Sequence, residues 1–150
     1  MDELTAIRVD EFLPHPPHRV WRALTDPQRL ARWLMPNDFA LEIGRRFTFQ
    51  TDPVPGADFD GVVHCEVLAF EPERMLSISW TGGGSGLRTT VTWRLYLEGT
   101  GTRLFLDHEG FDPEHPGQQL ARRNMGGGWR SHLWRRLAAE LDAIGEGRGG

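Results

Sequence analysis

Residues Pro14–Pro36, PHPPHRVWRALTDPQRLARWLMP, decide how this chain folds. Pro16 and Pro17 suit the first turn of a helix, where a missing backbone N–H leaves nothing unpaired. Val20, Trp21 and Leu24 then recur at the spacing of one helical face, so the first helix buries a single stripe. Thr25-Asp26-Pro27 stops that helix and starts another. Asp26 is placed to cap it, Pro27 to take its first position, and Leu30, Trp33 and Leu34 repeat the apolar spacing. A pair of short helices is predicted. Upstream, Ile7–Leu13 reads as a strand, because Ile7 and Val9 alternate with Arg8 and Asp10 until the prolines end it.

From Phe39 to His108 the pattern changes to short alternating runs: Phe47/Phe49, Val63/Cys65/Val67, Leu76/Ile78/Trp80, Val91/Trp93/Leu95/Leu97 and Leu104/Leu106. Turn chemistry separates them at Asp52-Pro53-Val54-Pro55-Gly56, Glu71-Pro72-Glu73, Gly82–Gly86 and Glu98-Gly99-Thr100-Gly101, which makes antiparallel hairpins the natural connection. A long helix is predicted over Arg130–Ile144. Trp129, Leu133, Leu137, Leu141 and Ile144 share its apolar face, while Arg135, Arg136, Glu140 and Asp142 lie mostly elsewhere. Leu120–Met125 is also helix-compatible. Gly126-Gly127-Gly128, each costing roughly 1 kcal/mol against alanine in a helix, implies a kink or close backbone packing there. Both patterns are satisfied by an α+β architecture in which a curved antiparallel sheet holds one long C-terminal helix and the two short helices close one end. A single domain over residues 1–150 is expected, ordered from about residue 5 to 144, with Gly145–Gly150 a disordered tail.

The stretch HPPHRVWRALTDPQRLARWLMP resembles the opening of the family of activator of heat-shock-protein-90 ATPase homologues, within the START-like superfamily that takes in polyketide cyclases and Bet v-like proteins. The resemblance continues through Gly61, Phe70-Glu71-Pro72-Glu73-Arg74-Met75-Leu76, Trp80, Val91-Thr92-Trp93, Gly101-Thr102-Arg103-Leu104, His108, Gly110-Phe111 and Gly128-Trp129. It implies the helix-grip fold, a cavity between sheet and last helix, and the binding of a hydrophobic ligand. Within Asp107-His108-Glu109-Gly110-Phe111 the chain departs from the family pattern, with Asp107 in place of a threonine and Glu109 in place of a small residue. Fold is specified far better than activity by such a match, because the group is functionally mixed.

Bulk properties narrow the partners. A chain of 150 residues buries about 68–70% of its unfolded surface, enough for a real core. The net charge of −4, from 17 basic against 21 acidic residues, and the absence of a basic run interleaved with aromatics disfavour nucleic acid and anionic membranes. Cys65 stands alone, so no internal disulfide or multi-cysteine metal site forms. It alternates with Val63 and Val67, which reads as a buried inert thiol. A reducing, cytoplasmic location is expected, and no stretch approaches the ~20 apolar residues of a membrane span.

No catalytic set is identifiable. His64 and Glu66 share a strand face, yet no second histidine stands at ligand spacing, so neither a metal nor a cofactor is expected. His15, His18, His115 and His132 read as solvated surface. Ser85 reads as a hairpin tip, with no nucleophile elbow around it. The candidate ligand-binding residues are aromatic. Trp33, Phe47, Phe49, Trp80, Trp93 and Trp129 sit on separate elements, and their convergence makes a large apolar surface with indole donors, although each alone is more simply core. His108 follows Leu104 and Leu106 on one face, where it either orients a ligand or is satisfied by backbone or water. Arg122, Met125 and Trp129 stand at i, i+3 and i+7 and point one way. Arg122 either meets an acidic ligand group or joins Arg123 in a surface patch, and Arg130 is a weaker candidate.

Three functions follow from these readings. The first is a binding module for a small apolar or aromatic molecule. The second is a polyketide cyclase or aromatase-like enzyme using His108. The third, implied by the resemblance, is an interaction protein for a chaperone. A homodimer is left open.

Overall fold

Pro17 and Pro27 each open a helix, as the sequence predicts: α2 spans Pro17–Thr25 and α3 Pro27–Trp33. The Asp26 carboxylate accepts from the Gln28 N–H at 3.0 Å, capping α3. Val20, Trp21 and Leu24 of α2 and Leu30 and Trp33 of α3 are buried. The Trp33 indole N–H donates to the Ala23 carbonyl at 2.7 Å, which locks the two helices together across their turn.

The computed structural model describes residues 2–52, 60–82 and 86–146. A helical turn, α1 (Asp2–Thr5), which the sequence did not signal, precedes β1 (Ala6–Leu13). After α3 come β2 (Arg46–Gln50), β3 (Val62–Glu71), β4 (Met75–Gly82), β5 (Leu87–Glu98) and β6 (Gly101–Glu109), then α4 (Pro116–Arg130) and α5 (His132–Glu146). The proline-rich turn after Asp52, the glycine loop with Ser85 and the tail beyond Glu146 lie outside the described residues.

The strands form one curved antiparallel sheet in the order β1-β6-β5-β4-β3-β2. Alternation is carried through: Phe47, Phe49, Val63, Cys65, Val67, Leu76, Ile78, Trp80, Val91, Trp93, Leu104 and Leu106 are all buried on the helix side. Leu97 is the exception. Near the end of β5 it is 69% exposed, because the helices no longer cover the sheet there. The close approach of β1 to the start of β6 requires Gly101: a Cβ at this position would lie 2.5 Å from the Leu13 carbonyl oxygen and 2.6 Å from the Phe12 ring.

The C-terminal helix differs from expectation in where it bends. It starts at Pro116, runs through all three glycines, and breaks at Ser131 (φ −128°, ψ −81°), so two helices replace the single one predicted from Arg130. At the bend the Ser131 hydroxyl donates to the Gly127 carbonyl at 2.6 Å, a back-bond that commonly bends helices. At Gly126 an added Cβ would lie 3.1 Å from the Arg130 guanidinium and in ordinary contact with Ile7 of β1 at 3.8 Å. Gly145 and Glu146, expected in a disordered tail, complete α5.

Two polar residues expected at the surface are buried. Glu140, placed off the apolar face by its helical position, is enclosed and paired with Arg29 at 3.1 Å and Arg32 at 3.6 Å, because α3 crosses α5 at this point. His15 is buried where α5 returns over the β1–α2 loop. Its Nδ1 accepts from Arg19 at 2.9 Å, so its Nε2–H donates to Asp142 at 2.9 Å, and its carbonyl accepts from the Thr102 hydroxyl at 2.7 Å.

The cap at Asp26 gives a direct check on this arrangement. Asp26→Ala is expected to lower unfolding free energy by about 1 kcal/mol and Asp26→Asn by much less, read from urea midpoints at constant m-value.

Candidate functional site

The aromatic residues singled out in the sequence converge on the inner face of the sheet. Ring centroids run Phe39–Phe47 at 5.0 Å, Phe47–Phe49 at 5.4 Å, Phe49–Trp80 at 5.4 Å, Trp80–Trp129 at 5.8 Å and Trp93–Trp129 at 6.1 Å. Most of these contacts are edge-on, the arrangement favoured by the ring quadrupoles. The rings thus line the inner face that the sheet curves around, and an opening lies beside them.

That opening is a solvent-accessible groove of about 480 Å³ where the end of α3 faces the α4–α5 bend. Its apolar walls are Leu34 and Met35, the Trp80 edge, Met125, Trp129 and Leu133. Gly128 contributes bare backbone, and a Cβ at this position would meet nothing within 4 Å. His132 and Arg136 stand at the rim, and no carboxylate lines the groove. Of the predicted ligand-binding residues, Trp80, Met125 and Trp129 therefore line this groove. Phe49, Trp93 and His108 stand behind it within the packed wall, Phe47 lies one ring beyond, and Trp33 is fastened to α2. Arg122 is not brought to the groove. Its Nε–H donates to Gln119 at 3.1 Å, one turn earlier on α4. Arg130 is exposed on another side of the helix.

His108 is wholly buried, and its surroundings fix its tautomer. The Thr89 hydroxyl is 2.8 Å from the Trp80 carbonyl, which can only accept, so the hydroxyl proton is committed there. Thr89 Oγ1 must then accept from His108 Nε2–H at 2.8 Å. On the other side, His108 Nδ1 accepts the Trp129 indole N–H at 3.1 Å. Both ring nitrogens are engaged, and burial pushes the imidazole from its ordinary 6.5 down to about 3. Held neutral, and packed 4.8 Å from the Phe111 ring, it is a structural pin behind the groove.

Thr89 and Arg136 were not signalled in the sequence, although Thr89 was within reach of a pattern, preceding Val91 by two on the inward side of β5. Arg136, read off the apolar face, reaches the groove only across the break at Ser131. Burial first and then Asp38 raise the Cys65 thiol to about 12, well outside nucleophile range. A recess of about 530 Å³ on the outer sheet face, beside Tyr96 and Phe105, has its cations spent: Arg94 pairs with Asp107 at 3.0 Å and Arg103 with Glu98 at 3.0 Å. Among the described residues no cluster of side chains could hold a metal ion, and no helix is long and apolar enough to cross a membrane.

A curved sheet closed by a helix pair and gripped by a bent C-terminal helix defines a START-like domain of helix-grip architecture. The X-ray structure of protein MLL2253 from Mesorhizobium loti shares it at a TM-score of 0.80 and 36% identity, over 92% of this chain and 97% of that one. CalU16 from Micromonospora echinospora matches at a TM-score of 0.73 and 28% identity, over 91% of this chain and 75% of that one. DynU16, a putative protein in the dynemicin biosynthetic locus, matches at 0.74 and 28%, over 92% of this chain and 47% of that longer one. No curated protein sequence matches. Residues 14–142 match the family described as Activator of Hsp90 ATPase homolog 1-like protein, and the chain belongs to that family.

The buried imidazole makes stability depend on pH in one direction. Below 6.5 the unfolded chain protonates this histidine while the folded chain does so only near 3, so acid favours unfolding throughout that window. His108→Gln, whose amide can accept from Trp129 and donate to Thr89, is expected to remove about 1 kcal/mol of destabilisation per pH unit between pH 6 and 5. Urea midpoints of both proteins across that range measure the difference; parallel curves contradict it.

Proposed function

We propose that this chain is a binding domain for a small, largely apolar molecule held in the groove between α3, Trp80 and the α4–α5 bend. The observation that carries this reading is the groove's composition. Half-buried Met35, Met125 and Leu133 flank the Trp80 and Trp129 edges, and the volume of about 480 Å³ falls within the roughly 300–1,000 Å³ of small-molecule sites. Methionine walls adapt to irregular shapes and indole edges suit flat ones, so an aromatic or polycyclic body fits the chemistry.

Binding is favoured over turnover by the state of His108. The cyclase-like reading requires an acid or base in reach of a ligand, and this imidazole spends both nitrogens on Trp129 and Thr89.

Gly128 offers a clean test, because its missing side chain leaves open space and not a strained backbone. Gly128→Ala is expected to raise stability by about 0.5–1 kcal/mol through helix propensity and to narrow the groove. Gly128→Phe should leave the far-ultraviolet circular dichroism unchanged and abolish the thermal shifts and native-mass adducts that a panel of flat apolar compounds gives with the wild-type protein. Equal shifts in Gly128→Phe, or no binder in the panel, would remove the groove from consideration.

A further inference from the structure

We infer that the groove selects amphipathic carboxylates, with the acid end held at Arg136 and the apolar body lying across Trp80 and Trp129. This rests on the groove being the ligand site, and it adds the polar half of the ligand.

Positive charge is left over at this rim. Three arginines cluster where α3 meets α5, and the buried Glu140 pairs with two of them, Arg29 and Arg32. Arg136, the third, has no carboxylate partner among the described residues. Its one hydrogen bond is a donation from Nη2 to the Arg32 carbonyl at 3.3 Å. That contact anchors one corner of the guanidinium at the groove rim and leaves further N–H donors for a planar acceptor. Guanidinium geometry matches a carboxylate two bonds at a time, which an amide or alcohol cannot reproduce.

The rest of the groove agrees in sign. His132 is one helical turn from Arg136 on the same rim, and no aspartate or glutamate lines the walls to repel an anion. By contrast, the arginines beside the outer-face recess are each neutralised at 3.0 Å, and Arg122 is tied to Gln119. The whole chain carries a charge of −4, so the attraction is local to this rim. A wholly apolar guest would bury the Met35 and Met125 side chains but leave Arg136 facing its own apolar end, removing water from a cation without replacing it. A carboxylate at that end supplies the missing partner.

Matched pairs of probes separate the two ideas: 2-naphthylacetate, 4-biphenylacetate and decanoate, each against its neutral amide of nearly equal size. Dissociation constants by calorimetry are expected to favour the acid about fivefold with the wild-type protein. In Arg136→Gln that preference should fall below about twofold with amide affinity unchanged, and Arg123→Gln, an exposed site on α4, should retain it. Added salt should weaken the acids and spare the amides. Acids and amides binding equally well to the wild-type protein would overturn the inference while leaving the groove as a binding site. An acid preference that survives in Arg136→Gln would overturn it equally, and the failure of every probe to bind would overturn both.

Discussion

The donation from the Trp129 indole to His108 Nδ1 fixes the C-terminal half of α4 on the sheet, as the Gln119 amide, donating to the Leu4 carbonyl at 2.7 Å, fixes its N-terminal half. The inner face of the sheet is otherwise a layer of valine, leucine and aromatic side chains, and such a layer holds a helix without fixing where along it the helix rests. A buried hydrogen bond has direction. It is satisfied at one position of α4 and broken at neighbouring ones, where an indole N–H and a ring nitrogen would both be left unpaired in a medium that penalises each. Because Thr89 commits its proton to Trp80, the imidazole must present Nδ1 as an acceptor to the helix. The chain of bonds from Trp80 through Thr89 and His108 to Trp129 therefore ties β4, β5, β6 and α4 at one point. Trp80 and Trp129 are also the two indoles at the groove edge, so the same network that registers the helix sets the spacing of the groove walls.

The glycines of α4 are the counterpart to that pin. A run of three weakens a helix by roughly 1 kcal/mol each relative to alanine, and in this position they have separate uses. Gly126 faces Ile7 of β1 at a distance that a Cβ would close to ordinary contact, while Gly128 keeps side-chain volume out of the groove. The helix stays continuous across them because Trp129 anchors it immediately afterwards, and the bend is deferred to Ser131, where a hydroxyl satisfies the Gly127 carbonyl. Local helix stability is given up at the point where the groove needs room.

Most of the fold was legible because it rests on period and punctuation. Two prolines and a capping aspartate fixed α2 and α3, and strict alternation fixed the inner face of five strands, since a residue's side of a strand follows from parity alone. What resisted reading depends on distant partners. Glu140 sits at a helix position that faces water on its own helix and becomes buried only because Arg29 and Arg32 arrive from α3. His15 looks like loop surface until α5 brings Asp142 over it. The bend at Ser131 was hidden for a related reason: three adjacent glycines are the stronger local signal, and tertiary packing overrides them. At the site, the aromatic set was recognisable, but its allocation was not. Helical spacing points Arg122 toward Trp129 and puts Arg136 off the apolar face, and only the positions of Gln119 and of the α3 end show that the first is tied and the second stands at the groove rim.

A sheet that curves around a helix can leave a hollow or fill it, and the outcome decides what kind of molecule such a domain can hold. Here rings from Phe39 to Trp93 pack largely edge to face along the concave side, and the groove opens beside them at the mouth. A sealed cavity rewards apolar surface alone and penalises any charge that cannot find a buried partner. At a mouth, one side of the guest meets indole and thioether while its other end remains in contact with water and rim. Charge on that end keeps part of its hydration, and an arginine beside a low-dielectric wall acts on it more strongly than the same arginine on a fully solvated surface. The packed rings and the unpaired guanidinium thus lead to one consequence. On the proposed reading, recognition lies at this boundary, where an apolar body and an anionic group can both be satisfied.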